Sequence, residues 1–241
     1  MSSHSIIFYK YKLEDFMKSL KKSFFLFILG VFLMGICSCG KKTTLTYIGH
    51  ASVKIVAQDG SVLYIDPAYS KGDYSAPADY ILVTHGHDDH KPTSALKLKE
   101  GGVKIDNFKA LVKGEYKTFD FGPFKVEAVP AGGNPNHDIR YCVGYIVTVD
   151  GVKIYHAGDT SMIEQMKDLT ARKIDYAMYP IDGQFNMDAV EATEVANLVG
   201  ARYNIPIHEF DQPGSKKSDK FTPKGRLVLE YGQTITVKPG K

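Results

Sequence analysis

The chain has 241 residues, of which 44% are hydrophobic and 24% charged, a balance that excludes wholesale disorder and supplies enough apolar material for one sizeable core. A net charge of +3, carried by lysines scattered along the sequence, excludes nucleic acid as the expected partner. Tryptophan is absent, so aromatic packing falls to fifteen tyrosines and thirteen phenylalanines.

The first forty residues differ from the rest. From Met17 the sequence MKSLKKSFFLFILGVFLMGICSCGKK gives lysines at 18, 21 and 22, an apolar stretch over 24–36, then small residues and cysteine. That is the layout of a secretory signal. The stretch is shorter than the ~20 apolar residues of a spanning helix. Residues 1–39 are therefore expected to be a signal segment, with Met17 the natural start, and 40–241 the folded domain. The segment ICSCGKK resembles a bacterial lipoprotein signal, with Ile36 three residues before Cys39 and Ser38 just before it. Cys39 is the expected lipidation site and Cys37, preceded by Met34, the alternative. An exported protein tethered to a membrane from outside the cytoplasm is the expectation. Only Cys142 then remains, in the apolar run YCVGYIVTV, where it reads as a small buried hydrophobe and not as half of a disulfide.

From Thr43 onward the pattern is rich in strands. TLTYIGHASVKIVA, the turn QDG and SVLYIDPA read as two strands joined by a hairpin turn. ADYILVTHGHDDH is a strand over 80–84 that stops where a polar cluster begins, so the cluster falls on the following loop. FGPFKVEAVPA is another strand, and YCVGYIVTVDGVKIYHAGDT a hairpin turning at Asp150 and Gly151. MIEQMKDL is a short helix candidate, KIDYAMYPI a strand, and MDAVEATEVANLVG the clearest helix, with Ala189, Val190, Ala192, Val195, Ala196 and Val199 on helical spacings and Gly200 as its stop. ARYNIPIHEFD returns to a strand, and LVLEYGQTITV is expected as a closing strand pair. One domain of strands with interspersed helices implies an α+β or layered α/β sandwich.

The cluster holds the chemistry. Three of the chain's eight histidines fall within six residues, and His85, His87, Asp89 and His90 form the pattern H-x-H-x-D-H. Imidazole and carboxylate are the donors that hold zinc and similar divalent ions. Asp88, between them, reads as solvated. Two ions side by side need more donors than four, so others are expected from distant parts of the chain.

Here the sequence resembles the metallo-β-lactamase-fold hydrolases, whose hallmark H-x-H-x-D-H stands at 85–90. YHAGDT resembles the family segment with the aspartate shared by both metals, here Asp159. IPIHEFD resembles the segment of the last metal histidine, here His208. NHDIRYCVGYIV puts His137 where the family has a ligand histidine before a GVGYxI strand. YIGHASVKI and LYIDPA resemble the opening strands of the branch that includes ascorbate-6-phosphate lactonase and N-acyl-phosphatidylethanolamine phospholipase D. The resemblance implies an α/β fold, a four-layer αβ/βα sandwich. It also implies two divalent cations, zinc first, with manganese or iron accepted by the same donors.

One cation would take His85, His87 and His137, the other Asp89, His90 and His208, with Asp159 bridging. Asp66 is expected to steady a ligand histidine by hydrogen bond, and His50 to lie outside the ligand set, where it contacts substrate or donates a proton. Asp89 would also act as a catalytic proton acceptor. His156 neighbours Asp159, but strand alternation turns it to the other side, so it reads as structural. Gly132, Gly133, Asn134 and Asn136 are expected to shape a loop over the pocket. Paired cations activate water, so hydrolysis is the expected reaction, and the resemblance to the lactonase and phospholipase branch implies an ester, lactone or phosphodiester in a small or lipid-like substrate. The alternative is a non-catalytic metal- or ligand-binding lipoprotein on the same fold. Metal content and turnover on a substrate panel separate the two.

Overall fold

The computed structural model describes residues 40–209 and 216–240. The expectations for residues 1–39, including the Met17 start and the lipid site at Cys39, lie outside the described residues. Among the described residues no helix is long and apolar enough to cross a membrane.

The alternating run TLTYIGHASVKIVA folds into two strands, not the single one expected. β1 (Thr44–Gly49) and β2 (Ser52–Val56) pair antiparallel, and the chain reverses between them through Gly49 at φ 141° and His50 at φ 54°. Only glycine fits at 49, because a Cβ there would lie 2.7 Å from the ring of Tyr69. β3 (Val62–Ile65) follows antiparallel, then β4 (Ala78–Leu82) and β5 (Leu98–Ile105) in parallel. β5 went unread in the sequence: its first four residues are exposed and two of its eight are glycine. The closing strand pair is a single strand, β14 (Gln233–Thr236), which pairs back to β1. The first sheet thus has the order β14-β1-β2-β3-β4-β5.

A four-residue helix, Asn107–Ala110, and a small hairpin of β6 (Leu111–Val112) and β7 (Glu115–Tyr116) lead to the second sheet. That sheet comprises β8 (Thr118–Asp120), β9 (Phe124–Pro130), β10 (Val143–Val149), β11 (Val152–His156), β12 (Tyr176–Pro180) and β13 (Tyr203–Ile207), in the order β13-β12-β11-β10-β9-β8. The hairpin between β10 and β11 turns at Asp150 and Gly151, both at positive φ, the turn whose twist matches that of the strands.

The main core lies between the sheets, where Leu45, Val53, Ile55 and Leu63 of the first meet Val126, Tyr145, Val147 and Met178 of the second. Helix Ala189–Val199 covers the outer face of the second sheet. Asp188 caps it by accepting from the backbone N–H groups of Val190 and Glu191, and Gly200 ends it in the left-handed conformation, as such caps do. Its buried stripe is Ala189, Ala192, Val195, Ala196 and Val199; Val190, expected on that stripe, lies about 100° round from Ala189 and is 55% exposed. The segment expected as a short helix winds instead as 3-10 turns, Glu164–Arg172, and buries Met166 and Leu169, the i,i+3 pair that such turns align. On the outer face of the first sheet, Tyr64, Ile81 and Val83 are covered by Tyr74 and Leu96 from irregular segments. The architecture is a layered α/β sandwich with helical cover on one outer face. Cys142 is buried, and burial pushes its thiol up to about 12.

Candidate metal centre

The chemistry-bearing residues gather at one end of the sandwich, where strands of both sheets stop. His50 follows β1, Asp66 follows β3, His85 lies beyond β4, Asp159 beyond β11, Asp182 beyond β12, and His208 follows β13. Here the sheets are joined directly. His208 N donates to His50 O at 2.8 Å and Val143 N to Thr84 O at 3.0 Å, while His156 Nε2 donates to Ala51 O at 2.9 Å. His156 therefore points away from the cluster and ties the sheets together. His50, Asp66 and His208 all have φ between 45° and 56°, a left-handed conformation costing roughly 1–3 kcal/mol at a non-glycine residue and persisting only where the surroundings enforce it.

Four imidazoles share one arrangement: Nδ1 meets an oxygen acceptor, leaving Nε2 for the centre. His90 Nδ1 donates to Asp66 Oδ2 at 2.8 Å. His137 Nδ1 donates to Phe185 O at 3.2 Å, His208 Nδ1 lies 3.1 Å from Asp182 Oδ2, and His85 Nδ1 lies 3.1 Å from Thr84 Oγ1. A donor bond at one ring nitrogen fixes the tautomer and leaves the lone pair on the other. The inward nitrogens converge on Asp159, which is 3% exposed. Its Oδ1 is 3.3 Å from His90 Nε2, and its Oδ2 is 3.2 Å from His137 Nε2 and 3.3 Å from His208 Nε2. His85 Nε2 faces His87 Nδ1 at 3.0 Å.

The donors fall into overlapping groups whose ligand atoms lie within 4.8 Å of one another: His85, His87 and His137; His85, His90 and Asp159; and His50, Asp89, His90 and His208. Every residue expected to hold a metal is thus in one neighbourhood. His50 stands closer than expected, with Nε2 3.1 Å from Asp89 Oδ2. Asp88 is 96% exposed and paired with Lys91.

The donor set fits a divalent cation. His90 Nε2 and Asp159 Oδ1 are both buried and face each other at 3.3 Å without a well-formed hydrogen bond, an under-satisfied arrangement that a cation between them would complete. Burial, reinforced by His90, holds the His85 imidazole down at about 3, so it is neutral and a donor of electrons near neutral pH. Burial alone would raise Asp159, yet His90 and His208 hold its carboxyl well below the usual range. The reciprocal effect brings His208 up to about 9, with Asp159 overcoming burial. The site therefore has excess negative charge for the imidazoles to answer with protons, or for a metal to answer in their stead.

Asp66 is buried and holds more than His90. It accepts from Thr84 N at 2.8 Å and Thr84 Oγ1 at 2.6 Å. Asp182 does for His208 what Asp66 does for His90, and the sequence reading missed it. The signal was there: in YAMYPID, as in LYID, an aspartate closes an apolar strand. Asn186 was missed too; its Nδ2 donates to Asp159 Oδ2 at 3.0 Å and to Asp182 Oδ2 at 2.7 Å, and nothing in the sequence singles it out.

Beside the centre lies a cavity of about 470 Å³ lined by His87, Asp89, Pro135, Asn136, His137, Asp159, Phe185 and His208. Its wall includes the glycine-rich loop. Asn134 Oδ1 accepts from the backbone N–H groups of Asn136 and His137, and a Cβ on Gly132 would sit 2.6 Å from His137 O. Gly158, beside Asp159, is equally tight: its φ is 64° and a Cβ would lie 2.8 Å from Val143 O. Gly158→Ala is expected to cost about 1–3 kcal/mol of stability, read as a lowered denaturant midpoint with unchanged slope; an unchanged midpoint would show that the backbone there relaxes freely.

A family model described as Beta-lactamase superfamily domain matches residues 44–208. A UPF0173 metal-dependent hydrolase of Pyrococcus furiosus is 33% identical over 222 residues, covering 81% of this chain and 96% of that protein. One from Carboxydothermus hydrogenoformans is 32% identical over 226 residues, covering 80% and 99%. Among solved structures, a metal-dependent hydrolase from Parabacteroides distasonis superposes with a TM-score of 0.66 at 30% identity, over 79% of this chain and 94% of that one. Strand-end histidines, superposed fold and family model agree, and the chain belongs to the β-lactamase superfamily as a metal-dependent hydrolase with the metallo-β-lactamase fold.

Proposed function

We propose that the protein hydrolyses an ester, lactone or phosphodiester at a pair of divalent cations, zinc being the best match to an imidazole-rich set. The observation that carries this is the row of buried imidazoles with Nδ1 on an oxygen acceptor and Nε2 turned to one carboxylate. His85, His87 and His137 would hold one cation, Asp89, His90 and His208 the other, and Asp159 would serve both. Bound cations lower the pKa of water and polarise the bond under attack. The side chains do the rest. Asp89, half-exposed on the cavity wall, takes the proton released as water attacks. His50, hydrogen-bonded to Asp89 Oδ2, keeps that oxygen oriented toward the cavity. Pro135 and Phe185 offer an apolar wall to the non-reacting part of the substrate. A cavity of this size suits a small organic ester or the head-group end of a lipid. Export and tethering through Cys39 would put the activity outside the cytoplasm.

The test is turnover by the full chain, solubilised and loaded with zinc or manganese, on a panel of lactones, carboxylic esters and phosphodiesters. Hydrolysis of at least one class, abolished by chelation and restored by added metal, is expected. Metal-loaded protein inert on the whole panel would contradict the proposal and favour a binding role.

A further inference from the structure

We infer that His50 is itself a metal ligand, the fourth side chain on the cation of Asp89, His90 and His208. The inference rests on the paired-cation reading and replaces one role in it: with the cation bound, His50 Nε2 would turn a lone pair to the metal in place of its hydrogen bond to Asp89. It offers a ring nitrogen to a group of four donor atoms that all lie within 4.8 Å of one another, and its Nε2 is the nitrogen turned to Asp89. It is 3.1 Å from Asp89 Oδ2, an oxygen that is in turn 3.8 Å from His208 Nε2 and 4.0 Å from His90 Nε2. Donors at ~2.0–2.2 Å from one ion can stand no more than ~4.4 Å apart, and these three separations satisfy that bound. The His50 ring also lies against that of His208, centroids 3.8 Å apart, so the two imidazoles enter the centre side by side.

The backbone holds the ring there. His50 sits at φ 54°, and its carbonyl accepts from both His208 N at 2.8 Å and the Tyr47 hydroxyl at 3.0 Å. Those two bonds fix a left-handed residue at the turn between β1 and β2, and the strain is localised where the side chain meets the centre.

The consequence is an asymmetric pair. With Asp159, the cation of His50, Asp89, His90 and His208 would have five protein ligands and be closed, as tightly held sites are. The cation of His85, His87 and His137, with Asp159, would have four protein ligands, one fewer than its neighbour, and so more room for a further oxygen ligand. Two of its ligands, His87 and His137, line the cavity, and His87 is exposed. Substrate would therefore engage that cation, while the other anchors the centre.

The experiment uses the full chain loaded with cobalt(II), whose paramagnetism shifts the proton resonances of every coordinated imidazole. Six of the eight histidines should contribute shifted ring signals in the unaltered protein, and five in His50→Asn, a variant whose side chain tolerates the left-handed backbone. Affinity for one of two cobalt ions should fall by more than ~100-fold, beyond the 10–100-fold that a residue outside the ligand set costs. Circular dichroism and His50→Gly, which also fits the backbone, separate ligand loss from misfolding. Two cobalt ions bound with the same five shifted imidazoles in the unaltered protein and in both variants would overturn this assignment alone. An unaltered chain that takes up no cobalt would overturn the paired-cation reading and the assignment together.

Discussion

Asp159→Ala is expected to release metal from both positions and to lower turnover by at least ~10²–10³-fold, the loss that follows removal of one preorganised electrostatic partner. The carboxylate is the point where the two halves of the site meet. Its oxygens stand 3.2–3.3 Å from the inward nitrogens of His90, His137 and His208, closer than Asp89 Oδ2, which is 3.8 Å from His208 Nε2 and 4.0 Å from His90 Nε2. Alanine would remove the one carboxylate shared by the inward nitrogens of three buried imidazoles, and two cations that close together would repel. Asp159→Asn keeps the shape but not the charge, so it should lose metal as well, which separates charge from packing. Metal content by mass spectrometry beside turnover is the measurement. Two retained equivalents with full turnover would remove Asp159 from the bridging role.

Asp66→Ala should produce the largest loss of stability. The side chain is fully buried, and His90 Nδ1, Thr84 N and Thr84 Oγ1 all donate to it. Burial opposes its ionisation, but His90 more than offsets this and holds the carboxyl below its ordinary range. Breaking one partner out of a buried charged pair costs about 3–5 kcal/mol, to be read as a shifted urea midpoint. Asp66→Asn makes the informative contrast, because asparagine accepts φ near 45° and retains an acceptor oxygen for Thr84. Its smaller loss, about 1–3 kcal/mol, should accompany a 10–100-fold weaker metal affinity, since His90 loses the acceptor that sets its tautomer. Equal stability of all three proteins would show that Asp66 supports neither ring nor strand.

The site was more legible in the sequence than the fold was. H-x-H-x-D-H is a local pattern, and the partners Asp159 and His208, at the ends of apolar strands, were reached through the resemblance of YHAGDT and IPIHEFD to the family's segments. Asp182 obeys the same rule at the end of β12 and could have been found by it. Asn186 could not, because its role depends on two carboxylates brought together only by the folded chain. His50 was placed outside the ligand set by the family resemblance, and the turn that carries it was hidden because the run around it reads as one strand; the break comes from Gly49 packed under Tyr69, a contact twenty residues away. β5 was hidden for the opposite reason, being an edge strand with exposed charges and glycines and little apolar signal. The final strand was misassigned because pairing partners are a tertiary matter: β14 meets β1 across most of the domain sequence.

The most direct test of the central claim is diffraction from metal-loaded crystals at energies on either side of the metal absorption edge. Two anomalous peaks should appear, one among His85, His87 and His137 and one among Asp89, His90 and His208, with Asp159 touching both. A single peak, or peaks elsewhere in the chain, would contradict a paired-cation hydrolase.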